Sequence, residues 1–245
     1  MAEADGLSGP PTLAVVVPVL GDTAAFRTLL ARLLADAPAP DRIVVVSGRP
    51  DAELEAVCRQ AGCEYRQTAA NRGAQLDLGA RAADADVLWF LHADAEPPPG
   101  AIAAIRAAIA GGAAGGCFRF AFQGARTWYK SLLERLIALR IRCGGVPYGD
   151  QGLFVRRDRY RACGGFAKQP LFEEVGLVRR LRRHGGFVVL DAPLRVSTRR
   201  WERDGWLART LHNRWLALLY ALGVPAERLA RAYRGLVRSN GEADR

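Results

Sequence analysis

His92, Asp94 and Glu96 are the residues in this chain whose types and spacing most directly suggest chemistry. They alternate, so an extended segment would turn their side chains to one side. Imidazole and carboxylate ligands at that spacing suit a divalent cation, Mn2+ or Mg2+, and a hard ion of this kind can bridge a diphosphate. The competing reading is a solvated loop behind a core strand, and spacing alone does not separate the two. Other residues have simpler readings on their own. Glu173 and Glu174 are first-turn acids favoured by a helix dipole. Asp150 and Gln151 are turn residues in the run Tyr148-Gly149-Asp150-Gln151-Gly152. Arg200 and Trp201 form a surface cation–π pair.

The element that must carry the first group is the apolar run Val87 to Leu91. It follows Asp84 and Asp86 and ends in His92 and the prolines Pro97, Pro98 and Pro99. Such a run suits a strand buried on both faces of a parallel sheet. Its carboxyl end is where open α/β sheets place ligands. Upstream, Leu13–Val19, Ile43–Val46 and Glu64–Gln67 read as strands, with helical patterns near 23–34, 52–61 and 74–83 and another at 100–110. This alternation predicts parallel strands joined by right-handed crossovers. No G-x-G-x-x-G follows the first strand, which argues against a NAD-dependent dehydrogenase.

Downstream, a strand pattern at 115–122 is followed by helical ones at 132–141 and 157–163 with the apolar run 153–155 between them, and Phe172-Glu173-Glu174 opens a helix with Val175, Leu177, Val178 and Leu181 on its buried face. Two short strands (187–190, 194–196) and two last helices (about 206–222 and 226–237) complete the chain. The expected organisation is a disordered segment 1–10, one α/β domain 11–204, a helical appendage 205–238 packed on it, and a tail 239–245.

The net charge of +10 and the pI near 10.0 invite a nucleic-acid reading. Only Lys130 and Lys168 are lysines, however, and the arginines are spread without a basic tail. Arginine suits bidentate phosphate recognition, so the expected partner is a small anionic molecule and not nucleic acid. Five cysteines, with no C-x-x-C pair, argue against both a disulfide framework and a zinc site. The first ten residues do not resemble a signal peptide, and no apolar run approaches the ~20 residues of a membrane span. A cytoplasmic protein is expected. Trp215–Leu222 with its surrounding arginines suits a peripheral membrane contact or a homodimer through the C-terminal helices.

Three segments in order, Phe90-Leu91-His92-Ala93-Asp94, Pro147-Tyr148-Gly149-Asp150-Gln151-Gly152 and Arg199-Arg200-Trp201-Glu202-Arg203, carry a more specific signal. In them the sequence resembles the family-2 glycosyltransferases. Within that family it is similar to the small bacterial, radical-SAM-associated branch linked to arsenosugar biosynthesis. The resemblance implies the GT-A fold, a Rossmann-like, mainly parallel sheet with flanking helices and a small antiparallel addition. It also implies inverting transfer of a hexosyl or pentosyl group from a nucleotide-sugar donor to a small-molecule acceptor. On this likeness the donor-binding set is Pro18, Asp22, Ser47, Arg72, Asp94, Gln151 and Trp201. Ser47 stands where the family has an aspartate, and Asp51 or Arg49 are the compensating candidates. The cation ligands would be Asp94, His92 and Glu96, with His92 in place of the first carboxylate of the D-x-D motif. Glu174 falls at the general-base position, with Asp150 and Arg200 completing the catalytic set. Ser197 replaces the glutamine of Q-x-x-R-W, so processive synthesis is not implied. The rival functions are a sugar nucleotidyltransferase and a non-catalytic module binding anions or a membrane surface.

Overall fold

A computed structural model describes residues 9–233. The expectations for segment 1–10, for the tail 239–245 and for the end of the last helix fall wholly or largely outside those residues. The protein has the expected α/β fold, built on one seven-stranded mixed sheet in the order β3-β2-β1-β4-β6-β5-β7. Its strands are β1 (Leu13–Val19), β2 (Arg42–Ser47), β3 (Glu64–Gln67), β4 (Val87–Phe90), β5 (Gly115–Phe122), β6 (Phe154–Arg156) and β7 (Phe187–Val196). β1 pairs in parallel with both β2 and β4, and β5 with β7. β6 alone lies antiparallel, between β4 and β5.

Both faces are covered, which explains the unbroken apolar strands. Leu13, Val15, Val17 and Trp89 face α1 (Thr23–Ala35), α2 (Ala52–Gln60) and α4 (Ala101–Ala110). Ala14, Val16, Leu88 and Phe90 face α3 (Arg72–Ala82), α6 (Arg157–Ala162) and α7 (Glu174–Arg183). Local chemistry sets the helix starts. Asp22, Asp51 and Asn71 cap α1, α2 and α3 by accepting from the backbone N–H three residues on.

The remaining helices are α5 (Trp128–Arg142), α8 (Arg199–Asp204) and α9 (Trp206–Ala221), followed by a helical stretch over 226–233. α5 begins one turn earlier than the apolar pattern predicts, because Thr127 caps it at Lys130 N. The two short strands expected at 187–196 are one strand with an irregular pairing opposite Phe118 and Arg119. All five cysteines are free. No helix among the described residues is long and apolar enough to cross a membrane.

From β1 the sheet grows one way to β2 and β3 and the other way to β4. The crevice between the carboxyl ends of β1 and β4 is therefore a topological switch point.

Candidate active site

A cavity of about 540 Å³ opens at that switch point. Its volume lies in the range of small-molecule sites. Asp22, from the turn after β1, and His92 and Asp94, from the turn after β4, form one wall. Arg72 at the start of α3 and Glu174 at the start of α7 form another, closed by Asp150 and Gln151 from a single 3-10 turn. Arg199, Arg200 and Trp201 of α8 cover the opening. Nine of the residues expected from sequence thus converge although they lie up to 179 positions apart, from Asp22 to Trp201.

Three expected residues do not line the cavity. Pro18 sits inside β1, paired with Val46. Ser47 is fully buried, and its hydroxyl donates to Arg49 O at 2.6 Å. A second, shallower groove runs past Asp22, Thr23, Arg49 and Asp51, so the carboxylate of Asp22 borders both openings.

Glu96 is the third, and it corrects the alternating-ligand expectation. Ala95 N donates to His92 O at 3.1 Å, so residues 92–95 turn instead of running extended. Glu96 then exchanges backbone hydrogen bonds with Arg195, and its carboxylate reaches Arg32 of α1 at 2.5 Å. The described residues hold no group of three or more His, Cys, Asp or Glu side chains arranged for a metal ion. A two-carboxylate seat is present instead. The Nη2 of Arg199 lies 3.1 Å from Asp22 and 3.7 Å from Asp94, so a guanidinium stands where two acids converge. Mg2+ commonly binds one or two carboxylates plus substrate phosphates, and that chemistry fits Asp94 and Asp22.

Glu173 and Glu174 are adjacent in sequence but divide their roles. Glu173 is fully buried and accepts two hydrogen bonds from Arg72, the second from Nη2 at 3.0 Å. A close approach makes this pair. Gly73 N donates to Gln169 O at 3.2 Å, and a Cβ at Gly73 would lie 2.0 Å from Ala167 O. Burial disfavours the charge on Arg72, and the carboxylates of Glu173 and Glu174 more than offset this, holding it firmly protonated.

Glu174 is 2% exposed, faces the cavity, and its Oε2 has no hydrogen-bond partner among the described residues. Burial, then the neighbouring Glu173 carboxylate, pushes its pKa up to about 8. Burial also raises that of Asp150, against the pull of Arg140 and Arg72. His92 is held neutral, its pKa lowered to about 3 by burial and then by Arg72 and Arg200. It packs so near the 3-10 turn that a Cβ on Gly149 would lie 3.1 Å from its Nε2. Gln151 is buried and donates to Phe118 O at 3.2 Å, which anchors the turn to the sheet.

Tyr233 and Arg209 contribute without a sequence signal of their own. Arg200 donates to the Tyr233 hydroxyl at 3.0 Å, and buried Arg209 reaches both that hydroxyl and Asp204. Trp201 stands edge-on to Phe122, with ring centroids 5.1 Å apart, and does not stack on Arg200 as a surface pair. Arg199 lay within a recognised segment, yet its span between Asp22 and Asp94 depends on β1, β4 and α8 meeting in space.

Comparison with solved structures places the fold. TarS from S. aureus matches with a TM-score of 0.58 and 16% identity, over 76% of this chain and 36% of that one. Glucosyl-3-phosphoglycerate synthase from Mycobacterium tuberculosis matches at 0.55 and 17%, over 75% and 70%. That enzyme is also known in complex with Mn2+, uridine-diphosphate and glucosyl-3-phosphoglycerate. A mannosyltransferase from Pyrobaculum calidifontis, in complex with GDP-Man and Mn2+, matches at 0.58 and 13%, over 77% and 57%. The chain therefore spans about a third of TarS and a little over half of the mannosyltransferase. No curated protein matches the sequence. The family model described as Glycosyl transferase family 2 matches residues 14–167, from β1 through the 3-10 turn to the loop before Glu173. That match covers well over half of the sequence, and the chain belongs to glycosyl transferase family 2.

Proposed function

We propose that the protein is an inverting, nucleotide-sugar-dependent glycosyltransferase with Glu174 as its general base. The observation that carries this reading is the buried, unpartnered Oε2 of Glu174 in a cavity at the switch point of the sheet. A buried carboxylate with a raised pKa is a poised proton acceptor. In the reaction, an acceptor hydroxyl attacks the anomeric carbon of the donor and passes its proton to Glu174. The bond from that carbon to the diphosphate oxygen breaks, and the nucleoside diphosphate leaves with the electron pair.

The growing charge on the leaving group needs cations aimed at it before the reaction begins. Arg72, Arg199 and Arg200 all line the cavity and serve that role. A divalent cation arriving with the diphosphate would be held by Asp94, with Asp22 opposite, and would supply further charge neutralisation. Neutral His92 leaves these guanidiniums free of competition from another fixed charge. Asp150 and Gln151 border the sugar, Trp201 offers an apolar ring, and Asp22 faces the nucleoside side. The GDP-Man and Mn2+ bound by one structural neighbour, and the uridine-diphosphate and Mn2+ bound by another, support the donor class. The narrower likeness to the radical-SAM-associated, arsenosugar-linked branch rests on three sequence segments, each of which contributes some residues to this cavity.

The reading is tested by incubating the protein with UDP- and GDP-sugars and candidate acceptors and identifying the released nucleotide. Nucleoside diphosphate with an inverted glycoside is the expected product. Pyrophosphate release from a nucleoside triphosphate and a sugar phosphate would instead make it a nucleotidyltransferase.

A further inference from the structure

The helices α5 and α9 flank the cavity and leave a large apolar surface exposed. Their amino ends meet where Tyr129 packs on Trp206, with centroids 4.8 Å apart. Their carboxyl ends are linked by a chain of rings: Arg140 over Tyr148 at 4.4 Å, Tyr148 to Phe172 at 5.9 Å, and Phe172 stacked on Tyr220 at 4.6 Å. The two helices therefore run in the same direction on opposite sides of the opening. Leu133 and Ile137 of α5 face the cavity, as do Thr210, Arg214 and Ala217 of α9.

The exposed apolar residues sit one position away from these lining residues, but in opposite senses. On α5, Leu132 and Leu136 precede Leu133 and Ile137; on α9, Leu211, Trp215 and Leu218 follow Thr210, Arg214 and Ala217. One residue is about 100° of helix rotation. For two helices running the same way, opposite rotations turn both stripes toward the same side of the molecule. Each stripe lengthens at an end, α5 with Trp128 at 78% exposure and α9 with Leu207 at 73% and Leu222 at 72%. Nothing among the described residues covers them. This exceeds the scattered apolar exposure of an ordinary surface.

The charge around the stripes has one sign. The exposed basic residues of α5 and α9 are Arg135, Arg142 and Arg214, while Lys130 and Arg209 are buried on internal partners, and Glu134 is the only acid on the two helices. Glu134 is turned inward, accepting from Phe122 N at 2.9 Å. Leucine and tryptophan on one helix face, with arginine beside them, is the pattern of a helix lying in a membrane interface.

We propose that the joint face of α5 and α9 docks on an anionic lipid bilayer, placing the two helices that flank the cavity at the level of the headgroups. The inference goes beyond the transferase reading and does not depend on it. The test is co-sedimentation of the full chain with vesicles of phosphatidylcholine alone or mixed with phosphatidylglycerol. The comparison variant carries Leu211→Glu and Trp215→Glu, both at sites more than half exposed, and an unchanged melting temperature establishes that it folds. Wild type is expected to partition to the mixed vesicles, less so as salt screens the arginines, and the variant about tenfold more weakly. Equal partitioning of wild type and variant, or no partitioning of wild type, overturns the proposal. So does a wild-type dimer in sedimentation equilibrium that the same substitutions dissolve while vesicle binding stays absent, because the face would then belong to a second copy.

Discussion

At the scale of the residue, the account turns on how two neighbouring glutamates are treated differently. Glu173 is committed to Arg72, and Glu174 is left free in the cavity. Removing the arginine leaves a fully buried carboxylate without its partner, a change that typically costs about 3–5 kcal/mol. Because the Arg72 side chain keeps 29% exposure, the lower figure of about 3 kcal/mol is expected for Arg72→Met. Urea unfolding measures it, and a loss below about 1 kcal/mol, the net worth of an ordinary hydrogen bond, would contradict the pairing.

Glu174 gives a prediction in pH. Its carboxyl is harder to ionise in the folded protein than in the unfolded chain. The folded state therefore binds that proton more tightly, and this group's contribution to stability falls as pH rises from the usual carboxylate range toward about 8. A general base works deprotonated, so kcat/KM should climb over the same interval and level off above it. A profile flat from pH 5 to 9, within the span where this titration lies, would remove Glu174 from the proton transfer. None of this division was legible in the sequence. Two acids at a helix start look alike until the loop before them is seen against α3.

At the scale of the element, the strands and helices of the first half follow directly from the apolar runs and their polar ends. Val87 to Leu91 had to be a doubly covered strand, and its polar tail had to emerge at the carboxyl edge. The sequence could not show that residues 92–95 turn. That turn depends on one local hydrogen bond and on Glu96 pairing with β7, a strand about a hundred residues later. Gly73 is another case where a long-range contact decides. Gly73→Ala would push the first turn of α3 away from residues 167–169 and so loosen the Arg72–Glu173 pair. Overpacking of this kind costs about 1–3 kcal/mol, and here it should also weaken nucleoside diphosphate binding. Calorimetric titration of the folded variant checks the second effect, and unchanged affinity would separate the turn from the site.

At the scale of the whole molecule, the sheet order creates the crevice between β1 and β4, and the C-terminal third closes it. The family match ends at residue 167, so Glu174, Arg200 and Trp201 lie outside the matched stretch. The cavity wall built by α5 and α9 was not readable in advance, because amphipathic helices announce a buried face without saying what it borders. A diphosphate that binds only the folded protein should raise its melting temperature, with about 2.7 kcal/mol of added stability at a hundredfold excess over Kd. Asp94→Ala should reduce the shift obtained in the presence of Mn2+. An equal shift in wild type and variant would take Asp94 out of the diphosphate site.

The most direct test of the central claim measures transfer and donor binding together in Glu174→Gln, which keeps the size of the side chain and removes the base. Turnover should fall by about 10²–10⁴-fold while nucleoside diphosphate affinity stays within a factor of a few. Turnover at the wild-type rate in a variant that binds donor normally would contradict the assignment of Glu174.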